Sequence, residues 1–183
     1  MKSEILHLLR HADGYVSGQQ LCETFGVSRT AVWKVINQLK EEGYVIDSVQ
    51  NKGYRITEYP DIITASEIES LLLDDSGNMQ GICRHIQYFD KTDSTNNQAK
   101  LAAEKNAPEG TLFVAECQTG GRGRRGKTWE SPAGSGIWMS LLLRPDISPE
   151  SASMLTLVLA VAMVDAINEE VQDAKCYVKW PND

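Results

Sequence analysis

The chemistry-bearing part of this chain is a basic, glycine-rich stretch in its second half. Residues 120–126 read Gly-Gly-Arg-Gly-Arg-Arg-Gly, and four of the six residues from Arg122 to Lys127 are basic. No acidic residue lies between Glu116 and Glu130. The glycines allow the backbone to approach a ligand closely, and planar guanidinium groups bind phosphate or carboxylate through paired hydrogen bonds. We therefore predict that an anion binds and orders this loop.

Two phosphate-binding patterns match this stretch by letter. Residues 121–128 fit the P-loop pattern G-x-x-x-x-G-K-[ST], and residues 121–126 fit the dinucleotide pattern G-x-G-x-x-G. Both patterns need a strand before the glycines and a helix after them, because the phosphate lies at the helix N-terminus. A strand is predicted at 111–116, but residues 129–136 contain one proline and two glycines, which disfavour a helix. We therefore reject both patterns. A solvated basic hairpin loop is the simpler alternative to an anion site.

Two further stretches place polar side chains at predicted strand ends. Residues 91–96 read Lys-Thr-Asp-Ser-Thr-Asn, whose acidic and hydroxyl residues could simply cap the next helix. The run Ser94–Asn96 also offers hydroxyl and amide groups to a small polar ligand. The sequence ends in Lys-Trp-Pro-Asn-Asp, where Asn182 and Asp183 offer oxygen atoms to a nucleotide or to Mg²⁺. A turn built around the proline is the alternative interpretation of that ending.

The composition is that of a globular, acidic protein. The 183 residues carry a net charge of −7, which argues against non-specific binding to nucleic acid or to anionic membranes. Residues 1–57 hold seven basic and six acidic side chains, whereas residues 58–183 hold eleven and nineteen, which hints at two domains with different partners. Four cysteines without C-x-x-C spacing, and a start unlike a signal peptide, favour a reduced cytoplasm. The longest apolar run, residues 154–164, is shorter than the roughly 20 residues that cross a bilayer, so no membrane association is expected.

The first part of the chain is typical of a DNA-binding module. Apolar residues at helical spacing predict three helices, with N-caps at Ser17 and Ser28 and a glycine turn at Gly26. Strand-like pieces at 44–47 and 53–56 flank a turn and predict a wing. These features indicate a winged helix-turn-helix, although a helical module that binds protein is the alternative. The residues predicted to contact DNA are Ser28, Arg29, Thr30, Trp33, Lys34, Asn37, Lys52 and Arg55. Because the module carries almost no net charge, we expect tight binding to need a dimer.

The remainder alternates strands and helices without a regular βαβ repeat. A linker at 58–66 contains the N-cap of a short helix, and a second helix runs to about residue 105. A third helix begins at Ser148 and is apolar nearly all round, which predicts that it is buried. Strands are predicted at 84–90, 111–116, 136–143 and 176–179. This order favours an α+β fold with a mixed, largely antiparallel sheet and helices on one side.

Three of these stretches together resemble the biotin protein ligases that double as biotin operon repressors. They are Asp-Ser-Thr-Asn at 93–96, Gln-Thr-Gly-Gly-Arg-Gly-Arg-Arg-Gly at 118–126 with Trp129, and Lys-Trp-Pro-Asn-Asp at 179–183. They occur in this order behind a predicted winged helix, so the resemblance covers the whole chain. It implies a DNA-binding domain at 1–57, a linker at 58–66 and the N-terminal part of a catalytic domain at 67–183. That domain would be similar in fold to the class II aminoacyl-tRNA synthetases.

The resemblance also implies a reaction and a role for individual residues. Biotin and ATP, with Mg²⁺, would form biotinyl-5′-AMP, and the biotinyl group would then pass to a lysine of the biotin carboxyl-carrier protein. The adenylate would promote homodimers that bind operator DNA. The implied catalytic groups are Arg122, Arg124, Lys179 and Asp183, of which Asp183 is also the metal ligand. The implied biotin contacts are Ser94, Thr95, Asn96, Gln118, Arg122, Gly123 and Arg124. The implied nucleotide contacts are Arg122, Arg124, Arg125, Lys127, Trp129 and Asn182.

One departure from the family pattern concerns the end of the sequence. The family carries an essential lysine shortly after the Lys-Trp-Pro-Asn-Asp motif and then a small SH3-like domain, whereas this sequence stops at Asp183. We therefore expect a truncated chain with little ligase activity. A regulator that senses biotin without catalysis is one alternative. A P-loop nucleotidase with a DNA-binding arm is another, and it requires a helix directly after Thr128.

Overall fold

The computed structural model describes residues 1–171 and 173–179, with Arg124 described by its backbone alone. The chain divides into two compact units, Met1–Leu143 and Arg144–Asp183. The first unit holds the helix-turn-helix, a linking helix and a three-stranded sheet. The second holds one long helix.

The helix-turn-helix forms as the sequence predicts. Its helices are α1 (Lys2–His11), α2 (Gly18–Phe25) and α3 (Arg29–Glu41). The hydroxyl of Ser17 accepts a hydrogen bond from the Gln20 amide at 3.0 Å, and that of Ser28 accepts one from the Ala31 amide at 3.2 Å, so both predicted N-caps are confirmed. Gly26 ends α2 in the left-handed conformation, with φ +63°. The core of this module consists of Ile5, Leu6, Leu9, Val16, Leu21, Val32, Val35, Ile36, Leu39, Tyr44 and Ile46.

The wing is an antiparallel hairpin of β1 (Val45–Val49) and β2 (Gly53–Glu58). The predicted strands lie within one residue of the observed starts. A third segment joins it, because Val16 and Tyr54 exchange backbone hydrogen bonds of 2.9 Å. This close pairing explains Gly53, which lies at φ +114° and whose added Cβ would come within 2.0 Å of the Val16 carbonyl oxygen.

Helix α4 (Ala65–Leu72) follows the wing and packs against α1. The hydroxyl of Thr64 accepts a hydrogen bond from the Glu67 amide at 3.1 Å, which confirms the predicted N-cap. Three polar contacts join the helix to the module. Arg10 and the Tyr44 hydroxyl donate to Glu67, and the ring of His7 donates through Nδ1 to the Ser70 carbonyl oxygen at 2.8 Å. Helix α4 is therefore held by the helix-turn-helix module that precedes it.

The sheet is mixed, as the sequence predicts, with the strand order β3-β4-β5, but its described strand pairs are one parallel and one antiparallel rather than largely antiparallel. Strands β3 (His85–Phe89) and β4 (Thr111–Ala115) are parallel, and helix α5 (Thr95–Glu104) connects them. Strand β5 (Trp138–Leu142) pairs antiparallel with β4. Every residue of β4 is buried, which fits the apolar sequence Thr-Leu-Phe-Val-Ala at the centre of the sheet.

The second unit differs from prediction in two respects. Its 3₁₀ turn, Pro149–Ser153, leads into α6 (Met154–Glu170), which was expected to be buried but is exposed, with Val158 at 62%. No strand or second α-helix covers it among the described residues of that unit, and burial requires a partner surface. The strand predicted at 176–179 is irregular chain. There the Asn168 side chain satisfies both backbone groups of Cys176, at 2.7 and 3.1 Å, in place of a neighbouring strand.

The helical segment Pro149–Glu170 is also longer than the apolar run counted from the sequence. It has 22 residues and a mean hydropathy of 1.7 over its most apolar window, so by length and composition alone it could cross a bilayer. It is the one helix of this kind in the described part of the chain. Core helices of soluble proteins meet the same criterion, so the segment carries no conclusion about membranes.

Candidate functional site

A polar cavity of about 230 Å³ lies where α5 begins, beside β5 and the stem of the basic loop. It is lined by Ser94, Thr95, Asn96, Asn97, Lys100, Gln118, Gly121, Arg122, Trp129, Ile137, Trp138, Met139 and Ser140. Larger grooves of about 540 and 510 Å³ lie at the helix-turn-helix module. The smaller cavity is the candidate ligand site because it gathers residues from two of the three predicted motifs.

The start of α5 is organised by Asp93 rather than by the serine that follows it. The Asp93 carboxylate accepts hydrogen bonds from Asn97 Nδ2 at 2.7 Å and Gln98 Nε2 at 3.0 Å. The Asn97 side chain and then the Ser94 backbone amide lower the pKa of Asp93 to about 2. Ser94, the N-cap residue, makes no capping hydrogen bond with its own side chain. Hydrogen bonds to side chains of the first turn of α5 therefore account for Asp93, and the buried Ser94 hydroxyl caps no backbone amide of that helix.

A chain of side-chain hydrogen bonds crosses the cavity wall. Gln118 Oε1 accepts from the Thr95 backbone amide at 2.8 Å and from the Thr95 hydroxyl at 3.2 Å. Gln118 Nε2 donates to the Ser131 hydroxyl at 3.0 Å. At the other end, the Ser140 hydroxyl donates to Thr95 Oγ1 at 2.9 Å. The wall is therefore a connected network that fixes several polar groups at once.

The sequence alone did not identify Ser131 or Ser140 as part of this site. Ser140 lies on β5 between Trp138 and Leu142, and a hydroxyl among apolar neighbours on one strand face was the signal available. Ser131 had no comparable signal, because it follows the loop in an irregular segment. Its pairing with Gln118 depends on the fold, which brings positions 13 residues apart into contact.

The basic loop is a compact hairpin with a closed stem. Arg122 and Thr128 form an antiparallel bridge, and the Gly123 amide donates to the Lys127 carbonyl oxygen at 2.8 Å. Its tip is a short 3₁₀ turn, Arg124–Gly126, in which Arg125 lies at φ +57°. No helix follows Thr128 in residues 129–137, all of which are described, so the rejection of a P-loop is confirmed.

Glycine is required at the base of this loop. Gly121 is buried and lines the cavity, and the Trp129 backbone amide donates to its carbonyl oxygen at 2.9 Å. A Cβ added at Gly121 would come within 2.3 Å of the Trp129 carbonyl oxygen. The hairpin therefore closes only because one strand of its stem lacks a side chain here.

Most of the predicted biotin contacts meet in one place. Six predicted site residues line the cavity: Ser94, Thr95, Asn96, Gln118, Arg122 and Trp129. The exposed side chains of Arg125 and Lys127 belong to the outer part of the loop and are not among the lining residues. Gly123, in the stem of the loop, is also not among the residues that line the cavity.

Other predicted residues fall outside this cavity or outside the described part of the chain. The side chain of Arg124 is not described, and Asn182 and Asp183 lie beyond the described residues. Lys179 is exposed in the second unit. Within residues 1–171 and 173–179, no group of three or more His, Cys, Asp or Glu side chains could hold a metal ion.

All but one of the predicted DNA-binding residues are exposed, either at the start of α3 or in the wing. Ser28, Arg29, Thr30, Trp33 and Lys34 are exposed at the start of α3, and Asn37 is half-buried. Trp33 is a large apolar side chain on this exposed part of α3, at 56% exposure. The groove of about 540 Å³ runs between Arg29 and the turn of the wing.

The two basic residues of the wing differ in their surroundings. Arg55 lies 3.5 Å from Asp47 and over the ring of Tyr15, so part of its charge is offset within the module. Lys52 lies in the exposed turn, with its ammonium group 5.9 Å from the same ring. Lys52 is therefore the better placed of the two to contact phosphate.

Comparison with known proteins adds two domain matches. Residues 88–183 match the biotin/lipoate A/B protein ligase family, and residues 2–55 match a helix-turn-helix domain. The chain is similar to the "Bifunctional ligase/repressor BirA" of Bacillus subtilis, with 42% identity over 184 residues that cover 100% of this chain and 55% of that protein. The protein of the same name from Escherichia coli is 34% identical over 180 residues, covering 98% and 52%.

Among solved structures, the chain is similar to the biotin protein ligase from Aquifex aeolicus in complex with biotin and ATP. The identity is 36% and the TM-score 0.45, over 55% of this chain and 40% of that one. The chain thus spans about half the length of the relatives that it matches.

Proposed function

Because the chain belongs to the biotin/lipoate A/B protein ligase family, we propose that it takes part in ATP-dependent attachment of biotin to a carrier protein. The observation that carries the proposal is the single cavity that unites Ser94–Asn96, Gln118 and Arg122. Ser94–Asn96 and Gln118 provide hydroxyl and amide groups for a small polar ring, and Arg122 provides a cation for a carboxylate or phosphate. A pocket of this kind fits biotin, which carries both a polar ring system and a carboxylate.

The proposed reaction has two steps. In the first, a carboxylate oxygen of biotin attacks the α-phosphorus of ATP, the α–β phosphoanhydride bond breaks, and pyrophosphate leaves. In the second, a lysine amine of the biotin carboxyl-carrier protein attacks the acyl carbon of biotinyl-5′-AMP, and AMP leaves as the amine loses a proton. Because the first step joins two anions, charge neutralisation by cations is its main requirement.

The basic loop is proposed to meet that requirement. Arg122, Gly123 and Arg124 wrap the biotin carboxylate and the adenylate phosphate, and Arg125, Lys127 and Trp129 fold over the nucleotide. The closed stem of the hairpin supports this role, because it holds the base of the loop beside the cavity. Closure of the loop also excludes water, which would hydrolyse the mixed anhydride.

Residues at the end of the sequence are also proposed to act on the nucleotide. Lys179 and Asp183 serve the reacting phosphate, Asn182 contacts the nucleotide, and Asp183 binds the Mg²⁺ that accompanies ATP. The cation supplies further neutralisation of phosphate charge.

The helix-turn-helix module is proposed to bind operator DNA. The match of residues 2–55 to a helix-turn-helix domain and the exposed polar start of α3 support this role. We further propose that the adenylate acts as corepressor by promoting a homodimer, since one nearly neutral module offers few phosphate contacts. We propose that both biotin attachment and operator binding take place in the cytoplasm, where the carrier protein and DNA are available.

Calorimetric titration of biotin into the chain, with and without ATP and Mg²⁺, tests the proposal. We expect binding of biotin and its loss in Arg122→Gln and Asn96→Ala, whereas Arg84→Gln, an exposed arginine outside the cavity, binds as the wild type does. Formation of biotinyl-5′-AMP from labelled ATP tests catalysis in the same samples. The same assays on a C-terminally extended chain separate the alternatives. Binding without adenylate formation by the extended chain would favour the non-catalytic regulator, and no binding of biotin by the extended chain would overturn the proposal.

A further inference from the structure

We infer that Ser131 is a positioning residue that fixes the orientation of the Gln118 side-chain amide in the cavity. The inference rests on the proposed function, in which Gln118 contacts biotin. Ser131 follows the basic loop and is 2% exposed, so its hydroxyl is available to protein groups rather than to solvent. Its partner is Gln118 Nε2, at 3.0 Å.

The orientation of the amide follows from the nature of its partners. The Thr95 backbone N–H can only donate, and it lies 2.8 Å from one end of the Gln118 amide, so that end is the oxygen. The nitrogen then faces Ser131, whose hydroxyl oxygen accepts. A reversed amide would set two donors against each other at Thr95, and Ser131 adds the second constraint that opposes reversal or rotation.

Ser131 is itself held from two sides. The Gln118 backbone amide donates to the Ser131 carbonyl oxygen at 3.0 Å. The Ser131 hydroxyl, after accepting from Gln118, points its own proton at the Trp129 carbonyl oxygen 3.5 Å away. Because Trp129 also pairs with Gly121, the orientation of the Gln118 amide is linked to the closed stem of the basic loop.

The network determines what the cavity offers to a ligand. The hydroxyl protons of Thr95 and Ser140 are used within the wall, toward Gln118 and Thr95 respectively, so both oxygens present lone pairs. Gln118 Nε2 carries two protons and donates one to the Ser131 hydroxyl, so the other can be donated to a ligand. Without Ser131 only the two hydrogen bonds from Thr95 hold the amide, so its nitrogen end and this pattern of donors and acceptors are less firmly fixed.

A spectroscopic experiment tests the orientation without any ligand. The side-chain NH₂ pair of Gln118 is assigned in a ¹⁵N–¹H spectrum of the full chain by its disappearance in Gln118→Leu. We expect Ser131→Ala to shift this pair and speed its exchange with water, while Ser135→Ala leaves it unchanged. Ser135 is a matched control, because its hydroxyl donates to the Pro132 carbonyl oxygen, outside the network. An unshifted Gln118 pair in Ser131→Ala would overturn the inference.

Biotin affinity tests the consequence. We expect Ser131→Ala to weaken biotin binding about fivefold, the effect of about one net hydrogen bond, and Ser135→Ala to have no effect. In a Gln118→Leu background the Ser131→Ala change is expected to have no further effect, because Ser131 acts through Gln118. An equal loss in both backgrounds would show a general structural role instead and overturn the inference.

The two measurements separate this inference from the proposed function. If the C-terminally extended chain does not bind biotin, the proposed function fails, and the NH₂ signals of Gln118 still decide whether Ser131 orients the amide. If the wild-type chain binds biotin and Ser131→Ala binds equally well, only the inference fails.

Discussion

Arg10 in α1 and Glu67 in α4 form an ion pair of 2.5 Å that joins the helix-turn-helix module to the helix after the wing. The side chains are 19% and 18% exposed, so the pair is largely shielded from water. The hydroxyl of Tyr44 donates to the other oxygen of the Glu67 carboxylate, and the guanidinium of Arg10 also lies over the ring of Tyr59, 4.5 Å from its centre. Glu67 therefore contacts both α1 and the segment that leads into β1.

Replacement of Glu67 by alanine is expected to lower the free energy of unfolding by about 2 kcal/mol, because it leaves the charge of Arg10 half-buried without its partner. For a chain of this size, such a change lowers Tm by roughly 4–8 °C. Urea unfolding followed by circular dichroism measures it. Glu41→Ala, at an exposed position near the end of α3, is the control and should change stability by less than about 0.5 kcal/mol. An equal effect of the two substitutions would show that the ion pair contributes nothing.

Local signals in the sequence predicted the helices and strands of the first unit well. They did not predict which side chains pair across the fold. The caps at Ser17, Ser28 and Thr64 were predictable because each depends on a side chain and an amide three residues away. The pairs Arg10–Glu67 and Gln118–Ser131 join positions that only the fold brings together. No periodicity or motif encodes such a pair.

For helix α6, the apolar pattern of the sequence did not predict the exposure of the side chains. Its all-round apolar composition predicted burial, yet Val158 and Val161 are 62% and 54% exposed. An apolar helix is stabilised by packing against a partner surface, but the sequence of the helix does not supply that surface. The polar stretches Ser94–Asn96 and Gln118 were recognisable in the sequence because each stands close to a strand end, and parallel pairing of β3 and β4 brings those ends to one edge.

Substitution of Gly121 by alanine is expected to abolish biotin binding while the module at the N-terminus stays folded. The added Cβ would lie 2.3 Å from a backbone oxygen of Trp129, which cannot move without opening the stem of the basic loop. Calorimetry of biotin binding, with circular dichroism as a check on folding, measures the effect. Gly14→Ala is the matched control, since nothing lies within 4 Å of an added Cβ there. Binding by Gly121→Ala within twofold of wild type would mean that the stem does not position the site.

The carboxyl group of Asp93 is expected to titrate near pH 2. Hydrogen bonds from the Asn97 side chain, and then from the Ser94 backbone, stabilise its charged form and hold its pKa at about 2, below the ordinary value of 3.8. A folded-state pKa below the unfolded one means that Asp93 stabilises the fold above pH 3.8, and that this contribution is lost as the pH falls toward 2. The carboxyl carbon signal of Asp93, followed against pH, measures the value directly. Asn97→Ala should raise the pKa toward 3.8, and an unchanged value would contradict the assigned cause.

The exposed start of α3 leads to a prediction about salt dependence. If Arg29 contacts a DNA phosphate beside the wing, Arg29→Ala loses one released counterion, and the slope of log K against log salt becomes shallower by about one. Fluorescence anisotropy with a mixed-sequence duplex, between about 50 and 200 mM salt, measures that slope. The matched control is Lys105→Ala, an exposed cation at the end of α5, which should leave it unchanged. An equal change in both variants would show that only overall charge matters. A change confined to Arg29→Ala would locate the DNA at the groove between α3 and the wing.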